Sequence, residues 1–126
     1  MKFLDSLPTQ EISDLGFLCA VNGLKEECVQ ICAGLELAHE DSPLPHLIHA
    51  ILHLNLNDPS EALQLLYEKA IPLDPENKIT QSLIAMANMQ AGDIHKGKET
   101  LSQVLMVSTE DEPRNLAKNI LSLEGI

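Results

Sequence analysis

Three histidines and three cysteines are the residues of this 126-residue chain whose type and spacing bear most directly on chemistry. His46, His49 and His53 lie close together, and His49 and His53 form an i, i+4 pair of the kind that shares a metal ion on one helix face. No glutamate lies between them to serve as the base of a metalloprotease. Cys28 and Cys32 are also one helical turn apart, at a Cα separation of about 6 Å, with side chains directed along the helix rather than toward each other. Cys19 precedes them without any Cys-x-x-Cys spacing. No Gly-x-Ser-x-Gly elbow or phosphate-cradling glycine loop is present. The histidines therefore read as half-buried packing residues with mild pH sensitivity, and the cysteines as small buried apolar ones. Glu26-Glu27, Glu40-Asp41 and Glu110-Asp111-Glu112 read as solvated helix ends and loops. The expectation is a chain that is not an enzyme and needs no metal and no cofactor.

The composition points to the elements that hold these residues. Hydrophobic residues make up 44% of the chain and charged residues 21%, with two Phe, one Tyr and no Trp. A core of Leu, Ile, Val, Ala and Met suits close helix packing, so an all-α fold in one domain, 1–126, is expected. The formal charge of −11 repels phosphate backbones and anionic membrane surfaces, which argues against nucleic-acid binding. Up to Pro75 there are three lysines against twelve acidic residues, so a basic partner would favour that part. An odd cysteine count fits a reducing cytoplasm. The start, Met1-Lys2-Phe3-Leu4-Asp5, meets an acid before any apolar run develops, and no run of 18 apolar residues occurs. The chain is thus expected to be cytoplasmic, neither exported by a cleaved signal nor inserted in a membrane.

An internal repeat organises the sequence. Small residues recur at Gly16, Ala50 and Ala85, turn residues at Gly23, Asn57 and Gly92, small residues again at Cys28, Ala62 and Gly97, and larger ones at Cys32, Leu66 and Leu101. Every series steps by 34 and then by 35, so one extra residue lies between Leu66 and Ala85, with Ile71-Pro72 a natural place for it. Each unit reads as two helices about a tight turn, the units covering about 9–42, 43–76 and 77–109. A capping helix over about 111–124 carries Leu116, Ile120, Leu121 and Leu123. Thr9 and Asp58 are expected N-caps, and Pro59 opens the fourth helix. Small residues stand where paired helices cross, because bulk there would hold the axes apart.

With Leu15-Gly16, Ile84-Ala85 and the run Asn57-Asp58, Glu61-Ala62-Leu63, Tyr67-Glu68-Lys69-Ala70 and Leu73-Asp74-Pro75, residues 9 to 109 resemble the tetratricopeptide-repeat (TPR) family in degenerate form. His49-Ala50 departs from the pattern, the aromatic residues are largely absent, and Asp74-Pro75 lies one residue late. The resemblance implies three TPR-like repeats plus the capping helix, a short α-solenoid. It also implies a concave face lined by set positions of each first helix. Those positions carry Gln10, Ser13, Phe17 and Ala20, then Leu44, Leu47, Ile51 and Leu54, then Ile79, Ser82, Met86 and Met89. Phe17, Ala20, Leu44, Leu47, Ile51, Leu54, Ile79, Met86 and Met89 are thus the expected partner-binding residues, an apolar and adaptable wall suited to an amphipathic helix.

The open groove is the expectation; the alternatives are that a register shift of one turns the stripe into core, that the chain's own end, Met1-Lys2-Phe3-Leu4 or the helix with Leu116 and Ile120, fills the groove, or that a second copy does. The cations that grip acidic peptide tails in some family members are missing, Ser13, Phe17, Leu47 and Ile51 standing in those places. In size, repeat count, acidity and groove character the chain looks like the small cytoplasmic chaperones of bacterial type III secretion, closest to those that hold the needle subunit. That resemblance implies a protein client, the amphipathic helix of a secreted, self-polymerising subunit, together with a second small co-chaperone in some cases. A translocator-class chaperone, or a structural scaffold in a larger assembly or homodimer, is the alternative.

Overall fold

The computed structural model describes residues 9–107. It is all-helical: among the described residues there are six rods and no strand. The rods are α1 (Thr9–Val21), α2 (Lys25–Ala38), α3 (Leu44–Asn55), α4, α5 (Lys78–Gln90) and α6 (Ile94–Val107). α4 starts as Pro59–Leu65, passes through a π-helical turn at Leu66–Ala70 and ends in the segment Ile71–Leu73. No helix of the described residues is long and apolar enough to cross a membrane. The capping helix expected over 111–124 lies outside the described residues.

Three hairpins, α1/α2, α3/α4 and α5/α6, close through the same turn. Gly23, Asn57 and Gly92 all take positive φ, at 69°, 61° and 108°. In each turn the following amide reaches back five residues: Leu24 N–H donates to the Cys19 carbonyl, Asp58 to His53 and Asp93 to Asn88, at 2.9, 2.8 and 2.8 Å. The turn residue's own amide also reaches back three residues, Gly23 to Ala20, Asn57 to Leu54 and Gly92 to Met89, each at 3.1 Å, and the two bonds satisfy orphan carbonyls at the end of each first helix. Two of the following helices are then capped by carboxylates, Asp58 accepting from the Glu61 amide and Asp93 from the Lys96 amide, each at 3.3 Å. Leu24 holds the equivalent place in the first hairpin without a side-chain cap. Asn77, rather than a residue nearer Pro75, caps α5 through the Thr80 amide at 2.9 Å.

The 34-and-35 spacing has a structural cause. At Leu66, the last residue in register, α4 widens into its π turn, and the Ile71 amide donates to the Leu66 carbonyl. Pro72 follows; it has no amide to donate, and its ring would strike the carbonyl four residues back in a regular α-helix. The wider turn takes up one residue and leaves α5 in register with α1 and α3.

Packing follows from the small residues. A Cβ on Gly16 would stand 3.1 Å from both Ile31 and Ile48, so this glycine lets α1 lie close against α2 and α3 together. α3 is the shared member of two cores. Ile48 and Leu52 join Cys19, Cys28, Ile31, Cys32 and Leu35 on one side. Leu47, Ala50 and Leu54 join Ala62, Leu66, Ala70, Leu83, Ile84 and Ala87 on the other. With apolar area worth about 25 cal/mol per Å² on burial, a helix buried on both sides is the main anchor of the stack.

Candidate functional site

α1, α3 and α5 stand side by side, α3 in contact with both of the others. At the end where all three finish, an apolar cleft of about 480 Å³ opens between them. Val21 of α1, Ile51, Leu54 and Asn55 of α3, and Leu83, Met86 and Gln90 of α5 line it. None of these side chains is charged. Gln90 crosses from α5 to α3, its Nε2 donating to the Leu54 carbonyl at 2.8 Å. Val21 is 55% exposed and forms the open lip. A larger depression, about 590 Å³ along Leu37–Ser42, is lined by one continuous stretch of chain and is a bend between α2 and α3 rather than a meeting of elements.

The residues expected to line the groove divide into three sets. Ile51, Leu54 and Met86 come together in the cleft, Ile51 and Met86 half-buried and Leu54 buried in its floor as part of the second core, so the expectation of an open wall position is corrected for Leu54 too. Phe17, Leu44 and Ile79 are half-buried, the first two packed on the first core and Ile79 on the second. Ala20, Leu47 and Met89 are buried. The expectation of open wall positions for these three is corrected by how closely the helices approach. Ala20 is fully covered where the hairpins meet, Leu47 is absorbed into the second core, and Met89 turns toward Gly97 on α6. Ser13 and Ser82 are buried as well, and Gln10 lies outside, bonded to Asp14 at 2.8 Å.

Sequence reasoning missed Val21, Asn55, Leu83 and Gln90. A signal existed for three of them: Val21, Asn55 and Gln90 obey the same steps of 34 and 35 as the small residues. They are chemically unlike one another, so the series does not stand out by residue type.

The histidines lie on α3 toward α2 and α4. His46 Nε2 is 3.6 Å from Glu36 Oε1, and the rings of His49 and His53 stack with centroids 4.9 Å apart. Burial pushes the pKa of His46 and of His49 below the ordinary imidazole value, and the neighbouring His53 adds to the effect at His49. Among the described residues no group of three or more His, Cys, Asp or Glu side chains is placed to hold a metal ion. All three cysteines are buried and free. The hydrogen bond to Cys28, with burial, holds the Cys32 thiol far above its usual range, and burial raises that of Cys19. Cys19 and Cys32, held protonated in this way, are poor nucleophiles, whereas the bond with Cys32 lowers the pKa of the Cys28 thiol.

What the arrangement offers is a shaped apolar recess whose lining, among the described residues, is uncharged. No family model, no curated protein and no solved structure matches the chain.

Proposed function

We propose that this protein is a helical-repeat chaperone or adaptor that takes an apolar-faced helix of a protein client into the cleft between α1, α3 and α5. One observation carries the reading: the ends of three helices from three hairpins converge on a single uncharged recess. Its volume is of the size that accepts a few side chains, and apart from Asn55 and Gln90 its walls are Val, Ile, Leu and Met, which seat the anchors of an amphipathic helix by burial rather than by directional bonds. Met86 adapts its shape to different anchors. In its finer form the proposal is a TPR-like chaperone of type III secretion that keeps a needle-type subunit from polymerising by covering its helix. The degenerate repeat, the acidic charge and the apolar cleft support that form.

A second reading, a structural subunit that buries apolar surface permanently, is favoured by Leu18, Val29 and Leu37 of the first hairpin, exposed at 58, 40 and 83%. Affinity purification from the native host, with mass spectrometry of co-purifying proteins, separates the two. The chaperone reading expects a short, secreted, helix-rich protein that is lost when Val21→Asp and Met86→Asp are introduced. Unchanged recovery in those variants, or a single defined homo-oligomer with no client, contradicts it.

A further inference from the structure

We infer that the cleft has electrical polarity: the end at which α1, α3 and α5 finish seats the lysine- or arginine-bearing end of the client's helix. This rests on the cleft being the client site. The last residues of the three helices, Val21, Asn55 and Gln90, lie together at this rim. Each helix brings the negative end of its macrodipole there. Nothing basic stands in the last turn of α1 or α5, and the last turn of α3 carries only His53, whose ring is stacked on His49.

The helices that start at the same end do not reverse the sign. Their positive N-termini face Glu26 and Glu27 in α2, Asp58 and Glu61 in α4, and the Asp93 cap of α6. Lys25 and Lys96 are the cations among these first turns. The rim also presents acceptors. Gln90 spends its Nε2 on the Leu54 carbonyl, which leaves its Oε1 as an acceptor, and the Asn55 amide supplies another. An apolar floor with a rim where Lys25 and Lys96 are outnumbered by Glu26, Glu27, Asp58, Glu61 and Asp93 suits an apolar helix that ends in cations. Three aligned helix ends, partly screened, favour such an end by about five-fold at low salt.

The test uses the full chain and two fluorescein-labelled synthetic helical peptides with the same Leu/Met stripe, one ending in a pair of lysines and the other in a pair of glutamates. Binding is followed by fluorescence anisotropy at low and high salt. The proposal expects the lysine peptide to bind about five-fold more tightly at low salt, with the preference shrinking at high salt. Asn55→Lys places a cation at the rim and should erase the preference, whereas Gln30→Lys, the same charge change on the exposed side of α2, should keep it. Equal loss in both variants, or no preference in the unmodified protein, while the uncharged Val21→Asn still weakens both peptides, overturns the polarity and leaves the client site standing. If neither peptide binds, or Val21→Asn changes nothing, the client site itself falls and the polarity with it.

Discussion

Two glycines in helix interiors give opposite answers to the same substitution. In isolation, Gly→Ala in the middle of a helix gains about 1 kcal/mol from backbone propensity. Gly34 of α2 is exposed, and a Cβ there would meet nothing within 4 Å. Gly34→Ala should therefore collect most of that gain. Gly97 of α6 is buried against α5, and a Cβ there would lie 2.8 Å from the Ala85 carbonyl oxygen and closer still to the Met89 side chain. Met89 is flexible and can turn away, but the Ala85 oxygen belongs to helix backbone and moves only if the two helices separate. Overpacking of this kind costs about 1–3 kcal/mol, and the separation also loosens the buried contacts around Met89, so the net effect should be about 1–2 kcal/mol of destabilisation despite the propensity gain. At about 4 °C per kcal/mol for a domain of this size, Gly34→Ala should raise Tm by about 2–4 °C and Gly97→Ala lower it by about 4–8 °C. Thermal unfolding followed by far-ultraviolet circular dichroism reads both. A Gly97→Ala protein melting at or above the parent would refute the argument that helix approach fixes the small-residue series.

The left-handed turn residues make a second comparison: Asn57→Ala should lose about 1 kcal/mol because φ of 61° disfavours a Cβ, while Asn57→Gly should be neutral or slightly stabilising in urea titrations. Stability should also respond to acid. His46 and His49 titrate lower in the folded protein than in the unfolded chain, so the unfolded chain binds more protons as pH falls through the ordinary imidazole value of about 6.5. Their contribution is then present above that value, declines as pH falls toward the folded pKa, and levels off below it. His49→Gln should flatten this part of the pH–stability curve, and an unchanged slope would contradict the assignment.

The hairpins were legible in the sequence for a simple reason. Positive φ at Gly23, Asn57 and Gly92 and close approach at Gly16 and Gly97 restrict residue type so severely that the period survives when everything else drifts. The extra residue was visible as a changed step. Its form, a π turn ahead of Pro72, depends on hydrogen bonding that spacing alone does not specify. For the site, periodicity gives the direction of a side chain around its own helix but not how near the next helix stands. Periodicity points to Ile51 and Met86, which are half-buried in the cleft, but Ala20, Leu47 and Leu54, with comparable directions, are covered by neighbours, Leu54 reaching the cleft only as part of its floor. Met89 was drawn toward the space left by Gly97, a contact between positions on different helices. Val21, Asn55 and Gln90 share a place in the repeat but no chemistry, so only the convergence of three helix ends marks them.

The most direct test of the central claim is a methyl-resolved NMR titration of the protein, labelled at Ile, Leu, Val and Met methyls, with the lysine-ended amphipathic peptide. Shifts concentrated on Val21, Ile51, Leu54, Leu83 and Met86 are the predicted result. Shifts centred instead on Leu18, Val29 and Leu37, or no shifts at peptide concentrations that saturate a micromolar site, would contradict it.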